Sequence, residues 1–317
     1  MHLVTIERDG EERLGVLVGE EILDLSASEP VLGRLGAPSS MRALLAAGDR
    51  ALEAVRRAHD AASSDSVGGE LRERGGLVAA RDVHRLAPVP DPRIIVSAGG
   101  NFRAHVREMG VEVLPTEPSA FLKSPNTVIG PDSPIILPRL HPDMVDWEAE
   151  VAVVIGRTCH NVDAEDAFDH VAGFTMVNDV SARDWVEALD GLEGLEASRA
   201  WDKNILGKQF PTFCPMGPAL ATKDEIADWN AIRFTLFLNG VKMQEAVTDD
   251  LVFSVPEMIA YYSRFYRFLP GDIITLGSPS GVGLMQRPPL FLKEGDIVEV
   301  VGEGIGTLTN SVVAEKP

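Results

Sequence analysis

The sequence is poor in the features that mark several classes of protein. Its 317 residues include only two cysteines, Cys159 and Cys214, and no uninterrupted apolar run of membrane-spanning length. So few cysteines are typical of a protein in a reducing compartment rather than of a secreted, disulfide-rich domain. A membrane-spanning helix needs about 20 apolar residues, and the first residues lack the pattern of a signal peptide. We therefore expect a cytoplasmic protein without a membrane partner.

Positive charge is also scarce. Lys and Arg number 29 against 48 Asp and Glu, which gives a formal net charge of −19, and the acidic residues are spread along the chain. A nucleic-acid-binding protein needs a clustered basic face, so we expect no nucleic-acid partner. A small anionic substrate remains compatible with this charge, because a bound metal ion and a few lysines can dominate the field locally.

Two carboxylates stand at the start of a strand that is rich in valine. Residues 147–156 read WEAEVAVVIG, and a strand places Glu148 and Glu150 on the same face. Residues 174–179 predict a second strand that ends at Asp179. Three carboxylates without a thiolate suit Mg²⁺, Mn²⁺ or Ca²⁺ better than zinc or copper. The alternative is the solvated face of an edge strand, but the uncharged remainder of the first strand favours a buried element with a charged end.

A second candidate site follows a glycine turn. Residues 93–97 predict a strand, Gly99 and Gly100 permit a tight turn, and a short helix is expected over 102–109. His105 and Glu108 are three residues apart and share a face of that helix. A carboxylate beside an imidazole fixes its tautomer and raises its basicity, as in a general base with its orienting group. The alternative is an ordinary surface pair, but such turns often carry function and move.

The remaining patterns predict two units. Residues 1–88 form a small N-terminal module, with a hairpin over 2–26, a helix over 41–59 and a loop over 61–76. Residues 89–317 form the main domain. Helices are expected over 164–170 and 255–268, and a surface loop over 190–200. Strands are expected over 232–238, 272–275, 296–300 and 306–313.

The motifs of the main domain, taken together, resemble those of the fumarylacetoacetate hydrolase family, in its acylpyruvate hydrolase-like and 2-hydroxyhepta-2,4-diene-1,7-dioate isomerase-like branch. They occur in the family's order over about residues 90–317. The matching motifs are Gly100-Asn101-Phe102 with His105 and Glu108, Phe121-Leu-Lys123, Asp146-Trp-Glu148-Ala-Glu150, Asn178-Asp179 with Arg183, Gly207-Lys208, Phe213-Cys-Pro-Met-Gly-Pro218, Pro270-Gly-Asp272 and Ser278-Pro-Ser-Gly-Val-Gly283.

The resemblance implies an α+β, predominantly β fold, namely a mixed β-sandwich roll with a small N-terminal α+β module. It also implies a homodimer and a bound Mg²⁺ or Mn²⁺, with Ca²⁺ as a possible occupant in crystals. It assigns three groups of site residues. The metal ligands are Glu148, Glu150 and Asp179; the catalytic residues are His105, Glu108 and Lys208; and the substrate-binding residues are Lys123, Arg183, Ser278 and Asn101.

Two departures from the family's pattern stand out. Ser278 replaces the usual threonine of a Thr-Gly-Thr-Pro motif, although the hydroxyl that would meet a substrate carboxylate survives. The segment 201–206, ahead of Gly207, is unusual and is expected to reshape the pocket for the acyl group.

The resemblance implies a metal-dependent hydrolase that cleaves a C–C bond in acylpyruvates or 2,4-dioxo acids, with a small 2-oxo acid as substrate. A metal-dependent decarboxylase or keto–enol isomerase of 2-oxo dicarboxylic acids is the alternative, and a non-catalytic metal-binding protein is a third hypothesis. The His105–Glu108 pair argues against the third. It favours hydrolysis over isomerisation, because isomerisation requires no activated water.

Overall fold

A computed structural model of the protein describes residues 1–184 and 192–316. The described chain has an α+β fold with a sheet-rich core, which confirms the expected fold class. Within these residues, no helix is long and apolar enough to cross a membrane.

The first part of the chain combines strands with four helices. In chain order its elements are β1 (His2–Arg8), β2 (Glu11–Val18), β3 (Glu21–Asp24), α1 (Glu29–Leu32), α2 (Met41–Ala47), α3 (Asp49–Ala62), α4 (Asp65–Glu73), β4 (Leu77–Ala79) and β5 (His84–Leu86). The predicted hairpin is confirmed, since β1, β2 and β3 pair antiparallel in sequence.

Two predictions for this part are wrong. The single helix expected over 41–59 is broken at Gly48, whose φ of 73° is incompatible with a continuous α-helix. The loop expected over 61–76 contains α4, because Leu71 is fully buried against the module's core. Gly68 is needed there, since a Cβ would lie 2.8 Å from the carbonyl oxygen of Ala62. A glycine that predicts a loop thus serves close packing inside a helix.

The second part of the chain supplies most of the strands. They are β6 (Ile95–Gly99), β7 (Ser119–Lys123), β8 (Val128–Ile129), β9 (Ile135–Leu137), β10 (Val145–Asp146), β11 (Ala149–Ile155), β12 (Val171–Asn178), β13 (Ser181–Ala182), β14 (Cys214–Thr222), β15 (Arg233–Leu238), β16 (Val241–Val247), β17 (Ile273–Thr275), β18 (Ile297–Gly302) and β19 (Gly306–Ala314). The helices are α5 (Arg103–Glu108), α6 (Ala164–Ala167), α7 (Gly194–Leu206) and α8 (Val255–Ser263).

Two sheets pack face to face. The larger runs in the order β4-β3-β2-β1-β14-β12-β11-β17-β6-β7, and the smaller in the order β16-β15-β18-β19-β9. Their facing side chains share one apolar core, with Val151 and Phe174 from the larger sheet and Phe234 and Val300 from the smaller. Because β1 pairs with β14, the N-terminal strands extend the main sheet. A domain boundary near residue 88 stays a prediction.

Two further element predictions need correction. The surface loop expected over 190–200 is wrong from residue 194 onward, because α7 begins there; residues 190 and 191 lie outside the described part. The segment 195–206 contains several good helix formers, which favour a helix there. The helix expected over 255–268 ends at Ser263, and its start is a capping box of Ser254 and Glu257.

Gly173 is a sensitive position in the larger sheet. A Cβ there would lie 2.0 Å from the carbonyl oxygen of Ala221 on the neighbouring strand. We expect Gly173→Ala to lower the free energy of unfolding by about 1–3 kcal/mol, the cost of overpacking. Gly69→Ala in α4 is the matched control, because its Cβ would meet nothing within 4 Å. Urea denaturation measures both; equal stability of the two variants would contradict this packing argument.

Candidate active site

Three carboxylates meet where β11 begins and β12 ends. The antiparallel register pairs Ala149 with Asn178, so Glu148 and Glu150 lie beside Asp179, the residue that follows β12. One carboxylate oxygen from each residue lies within 4.8 Å of the other two. Among the described residues, this is the only group of three or more acidic, histidine or cysteine side chains close enough to share a metal ion.

Two buried lysines compensate part of this charge. Lys208 Nζ lies 2.7 Å from Glu148 Oε2, 2.7 Å from Asp179 Oδ2 and 2.7 Å from Ser181 Oγ. Lys123 Nζ donates to Asp179 Oδ1 and, at 2.8 Å, to the carbonyl oxygen of Lys208. Both lysines predicted for the cavity therefore lie at the carboxylate cluster, where they hold Asp179 from two sides.

Arg183 pairs with two carboxylates at the same cluster. Its guanidinium donates to Glu148 Oε1 and, at 3.2 Å, to Asp146 Oδ2. A third contact, of 3.4 Å, reaches Asn204 Oδ1 in α7. The unusual segment 201–206 thus touches the site through Asn204, while the side chain of Trp201 lies outside the description.

Asp146 is a site residue that the sequence reasoning did not assign. It is fully buried and accepts backbone hydrogen bonds from Gly283 at 2.6 Å and Leu284 at 3.1 Å. It therefore orients Arg183 while anchoring the turn that follows β17. The sequence places Asp146 directly before Trp147, in the same motif as both glutamates, and this position could have suggested a role in the site. Its hydrogen-bond partners are distant in sequence, so no local spacing predicts those contacts.

Opposite pKa shifts distinguish Glu148 from Glu150. Burial alone would raise the pKa of Glu148, but the charges of Lys208 and Arg183 outweigh it and hold that pKa at about 2. Burial raises the pKa of Glu150 well above its usual range, and the negative charges of Asp179 and Glu148 raise it further. Glu148 is thus stabilised in its ionised form by its own neighbours, whereas Glu150 needs an additional positive charge nearby to stabilise its ionised form.

The donor set fits a divalent ion. Four buried carboxylates meet three buried cations here, namely Asp146, Glu148, Glu150 and Asp179 against Lys123, Arg183 and Lys208. Glu150 Oε2 accepts from the Gly277 N–H at 3.0 Å, while its buried Oε1 forms no hydrogen bond of regular geometry among the described residues. The Thr275 hydroxyl lies near enough to offset part of the rise in the pKa of Glu150, but it is too poorly aligned to satisfy this oxygen. A buried, unpartnered carboxylate oxygen beside two other carboxylates is a suitable ligand for Mg²⁺ or Mn²⁺.

The predicted histidine–glutamate pair is formed on α5. His105 Nδ1 lies 2.9 Å from Glu108 Oε2, and both side chains are largely buried. Glu108 Oε1 accepts from the Gly281 N–H at 3.0 Å. A carboxylate accepts at this contact, so in the neutral imidazole the proton is on Nδ1 and Nε2 keeps its lone pair. The pair thus has the tautomer that a general base requires.

Asn101 holds the turn that precedes α5. Its amide nitrogen donates to the Leu276 carbonyl oxygen at 3.1 Å, and its amide oxygen accepts from the Phe253 N–H at 2.9 Å. Gly100, with φ of 62°, allows the tight turn itself. These contacts give Asn101 a structural task; its predicted role in substrate binding is untested and stays a prediction.

The turn from Gly277 to Gly283 connects the two centres. Gly277 donates to Glu150, and Gly281, four residues later, donates to Glu108. Four residues span at most about 14 Å, so the histidine–glutamate pair and the carboxylate cluster border one small region. Ser278 lies on the same turn and is nearly buried; its predicted contact with a substrate carboxylate stays a prediction.

A buried cluster of hard oxygen donors beside a histidine–carboxylate pair is characteristic of enzymes that combine a metal ion with proton transfer. The sequence profile described as "Fumarylacetoacetate (FAA) hydrolase C-terminal" matches residues 94–313, and the protein belongs to this family. The resemblance inferred from the motifs is thereby confirmed.

Several named proteins are similar to this chain. "Oxaloacetate tautomerase FAHD2A, mitochondrial" of Bos taurus is 41% identical over 295 residues, covering 93% of this chain and 85% of the relative. "Oxaloacetate tautomerase YisK" of Bacillus subtilis (strain 168) is 34% identical over 305 residues, covering 94% and 95%. The crystal structure of maleylpyruvate hydrolase from Sphingobium sp. SYK-6, in complex with manganese(II) ion and pyruvate, has a TM-score of 0.75 at 29% identity, with 100% of both chains covered.

Proposed function

We propose that the protein is a divalent-metal-dependent keto–enol tautomerase that acts on oxaloacetate. The observation that carries this proposal is the unpartnered Glu150 oxygen in a carboxylate cluster that shares one turn with a histidine–glutamate pair. Support for the substrate comes from the two relatives named as oxaloacetate tautomerases, which align with 93% and 94% of this chain.

Tautomerisation moves one proton between C3 and the 2-oxo oxygen of the substrate. Glu148, Glu150 and Asp179 would hold the divalent ion, which supplies Lewis-acid polarisation of the 2-oxo group when bound. In the direction of enol formation, His105 Nε2 accepts the C3 proton and the 2-oxo oxygen takes up a proton from solvent. In the reverse direction the enol oxygen loses its proton to solvent and His105 returns a proton to C3, while Glu108 holds Nδ1–H in place. The Lys208 ammonium, fixed by the cluster, stabilises negative charge that develops nearby.

The histidine–glutamate pair does not by itself decide between isomerisation and hydrolysis. From the sequence it favoured hydrolysis, since only hydrolysis uses activated water. The same imidazole lone pair can remove a proton from a carbon that is made acidic by an adjacent 2-oxo group, so a tautomerase needs it too. The likeness to relatives named as tautomerases then favours isomerisation.

Hydrolysis of an acylpyruvate is the second candidate. It is supported by the overall likeness to maleylpyruvate hydrolase, which extends along the whole of both chains at 29% identity. A hydrolase would use His105 to deprotonate water, and pyruvate would be one product. The expected homodimer also stays a prediction under either function.

One assay separates the two candidates. We expect the protein with Mn²⁺ to accelerate conversion of enol-oxaloacetate to the keto form, followed by ultraviolet absorbance, at least about 100-fold over buffer with Mn²⁺, a gain typical of one general base. A parallel assay follows pyruvate release from maleylpyruvate and other acylpyruvates. Fast pyruvate release without enol conversion would replace the tautomerase with the hydrolase. Failure in both assays, with Mn²⁺ bound, would reject both candidates.

A further inference from the structure

Gln244, in the middle of β16, is a polar side chain with only 2% of its surface exposed. Its amide oxygen accepts from the Ala149 N–H at 2.9 Å. Its amide nitrogen donates to Ser278 Oγ at 3.0 Å and to the Pro279 carbonyl oxygen at 2.9 Å. Gln244 therefore joins the residue between Glu148 and Glu150 to the turn that carries Ser278.

The two neighbouring backbone groups fix which way this amide points. The Ala149 N–H can only donate, so it requires the amide oxygen. The Pro279 carbonyl can only accept, so it requires the amide nitrogen. A flipped amide would leave one buried donor and one buried acceptor facing groups of their own kind, which is unfavourable for each of them.

The fixed amide also fixes the Ser278 hydroxyl. One amide hydrogen goes to Pro279 and the other to Ser278, so Ser278 Oγ acts as an acceptor toward Gln244. The other acceptor recorded for this hydroxyl in the described structure is the Pro279 carbonyl, at 3.4 Å. That distance exceeds the usual range for an O–H···O bond, so the contact is weak. A ligand carboxylate, as a stronger acceptor, can therefore take the hydroxyl hydrogen from the Pro279 carbonyl.

We infer that Gln244 is a positioning residue that presents the Ser278 hydroxyl as a hydrogen-bond donor to a carboxylate of the bound 2-oxo acid. The need is greater for serine than for threonine, because serine has no β-branch to restrict its χ1 rotation. This inference rests on the proposed function for the chemical class of the ligand. It assigns a task to β16, an element of the opposite sheet that contributes no other residue to the site described above.

The test is Gln244→Glu. The glutamate keeps the shape and can still accept from Ala149. It cannot donate to both Ser278 and Pro279 as the amide does: ionised it donates to neither, and protonated it gives its one hydrogen to the stronger acceptor, the Pro279 carbonyl, so Ser278 loses its fixed donor in either state. Loss of a hydrogen bond to a charged ligand group predicts a rise of about tenfold or more in the Kd of pyruvate, measured by calorimetry with Mn²⁺ present. The KM for oxaloacetate should rise in parallel. The kcat and the Mn²⁺ affinity should stay within about threefold of wild type, a smaller change than the loss of one hydrogen bond would cause.

A double-mutant cycle separates this task from a general effect of charge. Ser278→Ala alone should weaken pyruvate binding, and adding Gln244→Glu to it should weaken binding no further. Additive losses would mean that Gln244 does not act through Ser278 and would overturn the inference. Should Gln244→Glu fail to fold, Gln244→Leu enters the same cycle, with the same requirement that its effect vanish without the Ser278 hydroxyl.

Gln286→Glu is the matched control. Gln286 donates to the Gly281 carbonyl at 3.1 Å on the same turn, so its replacement adds an equal charge without touching Ser278. We expect its pyruvate Kd to stay within about twofold of wild type, below the effect of one hydrogen bond. A loss of pyruvate affinity equal to that of Gln244→Glu would assign the effect to charge.

The inference and the proposed function can fail separately. Pyruvate binding without tautomerase activity would reject only the proposed function, whereas a wild-type protein that binds no 2-oxo acid would reject the inference.

Discussion

Glu150→Gln should abolish activity while making the metal-free protein more stable. Glutamine keeps the size of the side chain and removes a carboxylate that, within residues 1–184 and 192–316, forms no ion pair with lysine or arginine. In the metal-free protein this carboxyl lies buried beside Glu148 and Asp179, so above its usual pKa folding must either bury the charge or take up a proton, and glutamine avoids both costs. Because the same charge is what a divalent ion would bind, Mn²⁺ affinity should fall at least about 100-fold, or about 2.7 kcal/mol.

The pH dependence of stability provides a second measurement of the same group. The folded-state pKa of Glu150 is raised, so between its usual value of 4.5 and the raised value the folded protein holds a proton that the unfolded chain has lost. The contribution of this group to the free energy of unfolding of the metal-free protein is therefore largest below pH 4.5 and decreases as the pH rises above that value. Mn²⁺ competes with that proton, so the increase in Tm on adding Mn²⁺ should grow from pH 5.5 to pH 8.

Thermal unfolding in EDTA and calorimetric titration with Mn²⁺ check these expectations. The control is Glu20→Gln, which removes an exposed carboxylate from the turn between β2 and β3. We expect it to leave Tm, Mn²⁺ affinity and their pH dependence unchanged. A Glu150→Gln protein that binds Mn²⁺ with normal affinity, or that is less stable than wild type in EDTA, would contradict the role given to Glu150.

Local spacing was sufficient to predict which side chains lie together in the carboxylate cluster and in the histidine–glutamate pair. The strand repeat of two residues places Glu148 and Glu150 together, and the helical spacing of three places His105 beside Glu108. Each of these two contacts joins residues only two or three positions apart, so it depends on the local secondary structure and hardly on the arrangement of the rest of the fold. The third carboxylate, Asp179, could be added because the end of one strand commonly lies beside the start of its antiparallel partner.

The groups that orient these centres could not be predicted in this way. Asp146 receives its hydrogen bonds from residues that are 137 and 138 positions away, and Gln244 reaches Ser278 across 34 positions. Such contacts depend on how the two sheets pack, which no local period encodes. The missed helix α4 has the same cause: burial of Leu71 outweighs a composition of serine and glycine that favours a loop.

His105→Asn should lower kcat for oxaloacetate tautomerisation by about 10²–10⁴-fold, the range for loss of a general base. Asparagine can preserve the contact with Glu108 but has no lone pair at the position of Nε2. Mn²⁺ affinity should be unchanged, because the recorded hydrogen bond of the His105 ring is to Glu108 and none is to the carboxylate cluster. Stopped-flow absorbance of enol-oxaloacetate measures kcat, and calorimetry measures the metal.

Glu108→Gln tests why the pair is needed. A glutamine that keeps its oxygen toward the Gly281 N–H presents its NH₂ group to His105 Nδ1, which must then accept. The imidazole proton moves to Nε2, and the lone pair that takes the C3 proton is lost although the histidine remains. We expect a fall in kcat of at least about tenfold, and little further loss when His105→Asn is added, because the two residues act as one unit.

Exchange of the C3 proton identifies the step that His105 performs. With wild-type protein and Mn²⁺ in D₂O, NMR should show deuterium entering C3 of oxaloacetate faster than in buffer, and His105→Asn should remove this acceleration while pyruvate still binds. The matched control is His59→Asn, since His59 pairs with Asp60 at 3.1 Å on the surface of α3. Rapid exchange that persists in His105→Asn would place the base elsewhere, because proton removal from C3 is the step common to both directions of the tautomerisation.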